Sequence, residues 1–343
     1  MIEKIRLLLL TFLIYLHQII NFKLFLIIIK YVGGPLFTKL LQTFSNLNNS
    51  KAEDTLNGSI GSIIIKKDFV IKNLHTNIDS KLEDSLKILD SFLKYNNIPF
   101  PFYYSEFEII NKKQLNLNIE KEYSLQLRNI FKNIKNVKII DIFHSSKNYH
   151  YSKFIKGYRI DYFLSKYPNY QKEIFFNLYL SYYLMLSKNI FHCDWHFGNF
   201  LVNLNEENEI LLYILDTGLM GKLENTKFHN KLLDLFKVNL LKLEPINIVK
   251  FLSFINLNKN ANTKNFITQT KHIQKLALDN SKKILLIFKN ATINQLKFPI
   301  VILYMFQGII FLDEFLERKY LKDLKSFSDR MGFTSEIVKT ICI

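Results

Sequence analysis

Residues 191–218 read FHCDWHFGNFLVNLNEENEILLYILDTG, and this stretch decides the fold. A polar loop opens it, two short apolar runs follow, and an Asp-Thr-Gly triplet ends it. The runs, Phe200–Asn203 and Ile210–Leu215, have the length and the apolar character of short buried strands. We therefore predict a β-hairpin that brings Asn199, just before the first run, and Asp216, just after the second, to one edge of a sheet.

The loop before the hairpin follows the pattern His-x-Asp-x-His-x-Gly-Asn, from His192 to Asn199. Phosphoryl transfer needs one carboxylate to orient or deprotonate the attacking hydroxyl group, and a second carboxylate with an amide to hold the metal ion at the phosphates. Protein kinases take these groups from an Asp and an Asn five residues apart and from a downstream Asp-Phe-Gly. Asp194, Asn199 and Asp216 have this spacing, so the pattern predicts a phosphotransferase-like site.

Two other kinds of chemistry are weighed against this interpretation. A His-x-x-x-His pair such as His192 and His196 binds zinc well only on one face of a helix and with further ligands. Gly198 and the surrounding aromatic residues favour a loop instead, which disfavours zinc. The two cysteines, Cys193 and Cys342, give neither a disulfide framework nor a paired metal-ligand motif. No arrangement that would activate Cys193 is visible, so we predict a small filler residue there and not a nucleophile.

The composition sets the class of protein. The chain has 343 residues, 48% of them hydrophobic, and this suits one two-lobed domain or two small domains with a large core. Its net charge of +16 would attract anionic lipid head groups or nucleic acid. The basic residues are scattered among abundant Asn and Ile, however, and no zinc-finger, RNP-like or Arg-rich pattern is present. We therefore expect no nucleic-acid partner.

The first 32 residues are the second notable feature. Leu7–Leu16 is strongly apolar, and Leu24–Ile29 is apolar again after a stretch interrupted by His17, Gln18 and Asn21. A membrane-spanning helix needs about 20 apolar residues, and this segment reaches that length only with the polar ones included. A removed signal peptide is disfavoured, because no small-residue cleavage site follows. The segment is predicted to be either a helix that lies on or anchors to a membrane or a helix docked on the catalytic domain.

A small sheet comes first and helices follow, with the site at their junction, which predicts an α+β, two-lobed fold. The apolar stretch Phe298–Leu312 contains Gln307 and Gly308 and is predicted to be a core helix. The polar stretch Ser45–Asn57 is predicted to be a linker. Predicted strands are Ser59–Lys66, Phe69–Leu74, Val137–Phe143 and Tyr149–Ile155, and predicted helices are Asp79–Tyr95, Gln114–Asn133 and residues 5–45 with a break at Gly33-Gly34-Pro35.

A kinase-like upper lobe also needs a turn that cradles phosphates, a lysine and a helix glutamate that positions it. The small-residue turn from Asn57 to Ser62 enters a strand, and its backbone N–H groups could approach phosphates. Lys72 lies on the next predicted strand, in the position of the lysine of Val-Ala-x-Lys. Glu120 and Glu122, both on the second predicted helix, are the candidate partners of Lys72.

These residues resemble one family, the UbiB/aarF-domain (ABC1-type) atypical kinases, from about Gly33 to Leu223. The helix motif Glu-Ala-x-Asn-x-x-x-Phe-Arg is kept only faintly, and its register favours Glu120 over Glu122. The other family motifs are matched as follows: His-x-Asp-Pro-His-Pro-Gly-Asn by HCDWHFGN (192–199), Leu-Asp-Phe-Gly-x-x-Gly-x-Leu by LDTGLMGKL (215–223), Gly-Pro-x-x-x-Lys-x-Gly-Gln by GPLFTKLLQ (34–42), Ala-Ser-Ile-Gly-Gln-Val by GSIGSI (58–63) and Val-Lys by IK (71–72).

The resemblance implies a role for each matched residue. Asp194 would be the catalytic-loop aspartate, and Asn199 and Asp216 would bind Mg²⁺. Lys72 would contact the phosphates of ATP or ADP and pair with Glu120. The nucleotide-binding set implied by the family also includes its phosphate turn and its N-terminal extension, which folds over the active site: Gly58, Ser59, Gly61, Ser62, Lys39 and Gln42.

The family also implies an architecture and a location. We expect a protein-kinase-like fold with an N-terminal helical extension, divided into an anchor segment (1–32), the extension and linker (33–57), a β-rich nucleotide lobe (58–158) and a mainly helical lobe with the catalytic loop (159–343). Family members are membrane-associated, in mitochondria among other places. The implied partners are the nucleotide and a membrane lipid or isoprenoid quinone intermediate, as in ubiquinone metabolism.

Two alternatives remain open at the level of sequence. An aminoglycoside- or choline-kinase-like phosphotransferase shares the loop pattern, although the Gly34-Pro35 segment and the residues after Gly218 favour the UbiB type. A nucleotide-binding pseudokinase scaffold is the other. It is favoured by departures from the family pattern, such as Leu41 in place of Gly and Thr217 in place of Phe.

Overall fold

A computed structural model of the protein describes residues 6–11, 14, 32–36, 55–57, 60–98, 100–239, 245–276 and 280–313. Its strands are β1 (Thr55–Asn57), β2 (Gly61–Ile65), β3 (Phe69–Leu74), β4 (Val137–Ile139), β5 (Ile142–Ser145), β6 (Tyr149–Lys153), β7 (Phe191–His192), β8 (Phe200–Leu204), β9 (Ile210–Ile214) and β10 (Met220–Gly221). Its helices are α1 (Ile78–Tyr95), α2 (Tyr104–Lys113), α3 (Leu117–Ile130), α4 (Ile160–Lys166), α5 (Gln171–Ser187), α6 (Thr226–Asn239), α7 (Pro245–Phe254), α8 (Thr263–Gln274), α9 (Asn280–Ile293) and α10 (Val301–Asp313).

Helices and strands combine in two compact units, and the predicted α+β class is confirmed. The first unit comprises Met1–Phe100, Asn111–Asn118 and Ile142–Phe154, and the second comprises Pro101–Ile110, Ile119–Asp141 and Ile155–Ile343. The units therefore interleave along the chain. The contiguous domain ranges expected from the sequence remain a prediction.

The first unit is built on a five-stranded antiparallel sheet in the order β1-β2-β3-β6-β5. The predicted hairpin of β2 and β3 is confirmed, and Lys66 N–H donates to Phe69 O across its turn at 2.9 Å. The predicted linker Ser45–Asn57 is wrong over its last three residues, because Thr55–Asn57 form β1 and pair with β2. The polar sequence of β1 has no strand pattern, and backbone hydrogen bonding to β2 makes it a strand.

Helix α1 buries an apolar stripe at the spacing expected of an amphipathic helix: Ile78, Leu82, Leu86, Ile88, Leu89 and Phe92. The described part of the N-terminal segment docks on this helix. Arg6 forms an ion pair with Asp84 at 2.7 Å, and Leu10 is fully buried. Ser85 Oγ donates to Gly33 O at 2.6 Å and accepts from Leu36 N at 3.2 Å. The described residues therefore fit the docked alternative, while the rest of the predicted anchor lies outside the described ranges.

The second unit contains the sheet β4-β9-β8, in which β4 is parallel to β9 and β8 is antiparallel to it. The prediction of one strand over Val137–Phe143 is wrong, because this stretch forms β4 and β5, which lie in two different sheets. Alternating apolar residues favour a strand, but they do not indicate which sheet it joins. Helix α5 is buried on all sides from Ile174 to Leu186 and forms the centre of this unit's core.

The C-terminal apolar stretch forms α10, a core helix as predicted. Gly308 allows α10 to approach α5, because a Cβ atom there would lie 2.5 Å from the Tyr182 hydroxyl oxygen. That hydroxyl donates to Met305 O at 2.9 Å. Within the ranges that the structure describes, no helix has the length and apolar character needed to cross a bilayer.

Candidate active site

The β8–β9 hairpin positions the site, as the sequence predicts. Phe200 pairs with Ile214 at its open end. Beyond this pair, Leu215 N–H donates to Asn199 O at 3.0 Å. Asn199 and Asp216 therefore lie side by side at one edge of the sheet.

His192, on β7, ties the loop to Asp216. Its Nδ1 accepts from Asp194 N at 3.2 Å, so the proton lies on Nε2, which donates to Asp216 O at 2.6 Å. Burial lowers the pKa of His192, although the carboxylates of Asp194 and Asp216 act in the opposite direction. A neutral ring matches this bonding pattern. Because both ring nitrogens are used, His192 has none to offer to a zinc ion.

The carboxylate of Asp194 lies in a loop held by its own polar residues. Asn199 Nδ2 donates to Asp194 O at 2.8 Å. His196 Nδ1 accepts from Gly198 N at 3.0 Å, and its Nε2 lies 3.5 Å from Asp194 Oδ1. The side chain of Asp194 is mostly buried, with 13% of its surface exposed. These bonds hold the backbone of the loop, and the His196 ring lies beside the Asp194 carboxylate.

Gly218 brings two carboxylates to one place. Its N–H donates to Asp216 Oδ1 at 2.8 Å. A Cβ atom at this position would lie 3.1 Å from Asp216 Oδ1 and 3.2 Å from Glu120 Oε2. Glu120, on α3, is only 2% exposed, whereas Glu122 is exposed. The register of α3 therefore favours Glu120 over Glu122 as the functional glutamate.

Thr217 joins the Asp216 loop to α3. Its hydroxyl donates to the backbone oxygen of Glu120 at 2.8 Å, and the residue is fully buried. Sequence reasoning treated Thr217 only as a departure from Asp-Phe-Gly and missed this bond. A hydroxyl at a buried position needs a partner, and that requirement is the signal that could have found it.

These groups fit a magnesium ion better than a soft metal. Asn199 uses its amide nitrogen as a donor, so it is the amide oxygen that it can offer to a cation alongside the Asp216 carboxylate. Mg²⁺ takes such hard oxygen ligands, and it is commonly held by one or two protein groups together with substrate phosphates. Among the described residues, no cluster of three or more His, Cys, Asp or Glu side chains forms a closed metal site.

Aromatic side chains pack against Trp195, which lies within the His192–Asn199 loop. Trp195, where the family motif has Pro, is buried against Tyr182, His192 and Phe200 at ring-centroid distances of 5.2, 5.2 and 4.6 Å. Cys193 is buried as well, and its thiol donates to Phe191 O at 3.6 Å. This environment suits a filler residue.

The remaining predicted residues lie on the first unit or outside the described ranges. Lys72 is on β3, where it pairs with Ile63 and His150 in the two ladders. Gly61 and Ser62 begin β2, and a Cβ atom at Gly61 would lie 2.5 Å from Asn73 O. The pairing of Lys72 with Glu120 remains a prediction. Four predicted residues lie outside the described ranges: Lys39, Gln42, Gly58 and Ser59.

Comparison with known proteins identifies the family of this chain. The ABC1 atypical kinase-like domain matches residues 63–250, more than half of the chain, and the chain therefore belongs to this family. No curated protein matches the sequence. Among solved structures, the chain is similar to Rv3197 from Mycobacterium tuberculosis, solved in complex with erythromycin, with 14% identity and a TM-score of 0.47. The match covers 81% of this chain and 76% of that chain.

Proposed function

We propose that this protein is an atypical kinase or ATPase that binds Mg²⁺-ATP. One observation carries the proposal: Asp194, Asn199 and Asp216 are held together through His192 and the β8–β9 hairpin, with the Glu120 carboxylate facing Gly218. This arrangement supplies one oriented carboxylate for the attacking oxygen and a second carboxylate with an amide for the metal. The bound ion would neutralise charge that develops on the transferred phosphoryl group.

Each residue has a proposed role. Asp194 orients or deprotonates the attacking hydroxyl group or water, and Asn199 and Asp216 hold Mg²⁺. Lys72 contacts the phosphates of ATP or ADP, and Glu120 positions Lys72. By family resemblance, a second group completes the nucleotide site: Gly58, Ser59, Gly61, Ser62, Lys39 and Gln42.

The proposed substrate class is a small or lipid-linked alcohol handled at a membrane, as in isoprenoid-lipid or ubiquinone metabolism. Support comes from the family, from the net charge of +16 and from the apolar N-terminal residues. A membrane-associated, mitochondrion-like location is part of this proposal.

Thermal-shift titration tests the nucleotide site. Saturating Mg²⁺-ATP at 100 times its Kd should stabilise the wild-type protein by about 2.7 kcal/mol. Asp216→Asn should remove the Mg²⁺-dependent part of this stabilisation, because the metal loses a charged ligand. No stabilisation of the wild type by any Mg²⁺-nucleotide would overturn the proposal.

A matched variant separates binding from chemistry. Asp194→Asn should keep nucleotide affinity, because Asp194 supplies none of the proposed nucleotide contacts. It should lower ATP turnover by roughly 10²–10⁴-fold, the usual contribution of a general acid or base. Nucleotide binding by the wild type without turnover, with or without anionic liposomes, would assign the protein to the pseudokinases.

A further inference from the structure

One face of the five-stranded sheet in the first unit carries an unusual set of side chains. Along β6, His150 and Ser152 are buried on one face, so Tyr149 and Tyr151 lie on the other. The ladder places Ile71 opposite Tyr151. Ring contacts link the cluster: Tyr151 lies 5.8 Å from Phe69, 6.2 Å from Phe143 and 5.8 Å from Tyr149. We call these residues the aromatic face: Phe69, Ile71, Phe143, Tyr149 and Tyr151.

The aromatic face is accessible to solvent. Phe143 is 56% exposed and Tyr149 is 37% exposed, while Phe69, Ile71 and Tyr151 are partly exposed. A solvated face of an antiparallel sheet normally carries polar side chains that alternate with buried apolar ones. Here the solvent-exposed face carries aromatic and aliphatic side chains instead, whereas His150 and Ser152 lie on the buried face. A contiguous exposed apolar surface of this kind marks an interaction site.

The charges around the aromatic face are almost all positive. Lys153 lies on the face itself, opposite Phe69. Lys66 and Lys67 lie in the β2–β3 turn and Lys147 in the β5–β6 turn, all exposed. Asp68 is the only acidic residue in the ranges 60–75 and 142–154, which supply β2, β3, β5 and β6.

We propose that the aromatic face binds the surface of an anionic lipid bilayer. Tyrosine rings insert at the level of the head groups, where the ring is buried and its hydroxyl stays hydrated, and phenylalanine rings add apolar surface that inserts beside them. Lysines around such a surface attract anionic lipids, each contributing about fivefold to binding. The combination of exposed rings with a ring of lysines matches this partner. It deepens the membrane part of the proposed function and is independent of the nucleotide chemistry.

An introduced tryptophan tests the proposal directly. The natural chain has one tryptophan, Trp195, which is buried and would give a constant background. In full-length Phe143→Trp, vesicles with 30% phosphatidylserine should shift the emission to the blue, and lipids brominated in the acyl chains should quench it. Tyr162→Trp, at a 47% exposed position on α4, is the matched control and should show neither effect.

Charge reversal tests the electrostatic part. Lys66→Glu with Lys147→Glu should lower partitioning onto the same vesicles by at least about 30-fold, since two favourable contacts are lost. The control pair, Lys264→Glu with Lys271→Glu on α8, changes net charge equally at exposed positions and should have a smaller effect. Raising the salt concentration should weaken wild-type binding.

Three outcomes would overturn the proposal. One is the absence of a tryptophan shift at position 143, even if the protein binds vesicles through another segment. Another is an equal loss of binding in both charge-reversal pairs. The third is concentration-dependent dimerisation, without lipid, that Phe143→Ser abolishes, which would assign the face to a second copy of the chain. Since the vesicle experiments omit nucleotide and the thermal shifts omit lipid, either proposal can fail without the other.

Discussion

At the scale of single residues, Thr217 and Gly218 constrain the candidate site most tightly. Thr217 binds the backbone of Glu120, and Gly218 leaves room for the Glu120 and Asp216 carboxylates. The backbone of Gly218 does not need the left-handed region, so its requirement for glycine comes from contact alone. Through these contacts, both residues connect α3 to Asp216, the proposed metal ligand.

Thr217→Val removes the hydroxyl while keeping the shape of the side chain. The Glu120 backbone oxygen, which lies within helix α3, then loses this second donor, which should cost about 0.5–1.5 kcal/mol of unfolding free energy. We also expect a higher Mg²⁺ concentration for half-maximal nucleotide stabilisation, because Asp216 is less firmly held. Urea unfolding and Mg²⁺ titrations check the two effects. Thr217→Ser, which keeps the hydroxyl, should restore the Mg²⁺ dependence, and an unshifted Mg²⁺ midpoint in Thr217→Val would limit Thr217 to a structural role.

Gly218→Ala places a methyl group against two carboxylate oxygens at 3.1–3.2 Å. Either Asp216 or Glu120 must then move by a few tenths of an ångström. We expect weaker Mg²⁺-dependent stabilisation by ATP, with a change in unfolding free energy below about 3 kcal/mol, the upper range for overpacking. Thermal shifts with and without Mg²⁺ measure this. Unchanged nucleotide binding would mean that the carboxylates are not fixed where the metal needs them.

At the scale of elements, α1 serves as the platform for the N-terminal residues. Ser85 bonds to the backbone on both sides of Gly34, whose φ of 79° lies in the left-handed region that favours glycine. This contact fixes the turn that precedes Pro35. The turn begins the segment that resembles the family's N-terminal extension.

Ser85→Ala leaves two buried backbone groups without their partner, the Gly33 oxygen and the Leu36 N–H. We expect a loss of about 1–3 kcal/mol of unfolding free energy and faster proteolysis near Gly33. Ser80→Ala, which removes an exposed bond to Asn77 O on the same helix, should change stability by less than about 0.5 kcal/mol. Equal effects of the two variants would argue that the turn is not held by Ser85.

At the scale of the whole molecule, the N-terminal residues have a structural part and a proposed membrane part. Leu10 is fully buried, and Arg6 binds both Asp84 and Val32 O. Deleting residues 1–20 removes these contacts and should lower the unfolding free energy by at least about 2 kcal/mol, the value of one buried leucine. Urea unfolding measures it, and an unchanged midpoint would show that the segment does not contribute to the folded core.

The same deletion tests the anchor. If residues 1–32 tether the protein, the deletion should move it to the soluble fraction, whereas binding through the aromatic face should persist on anionic vesicles. Liposome flotation of the deleted protein, with Phe143→Trp as reporter, distinguishes the two contributions. A full-length protein that binds no liposomes would leave residues 1–32 as a docked helix only.

The local patterns of the sequence were enough to predict the hairpin of β8 and β9, the helices α1 and α3 and the core helix α10. Each of these elements is defined by its own apolar period and by turn residues nearby. The two apolar runs likewise predicted that Asn199 and Asp216 meet at one edge, because Asn199 precedes the first strand of the hairpin and Asp216 follows the second. Their chemical roles remain predictions.

Tertiary structure alone decided the features that depend on partners distant in sequence. Val137–Phe143 is divided between two sheets, and β1 is a strand only because β2 supplies its hydrogen bonds. Thr217 could be identified as a link only once α3 lay beside it. Local sequence patterns indicate which segments are helical or extended. Long-range packing determines which neighbours satisfy their buried polar groups. Those neighbours lie far away in sequence, so a short window of residues cannot reveal them.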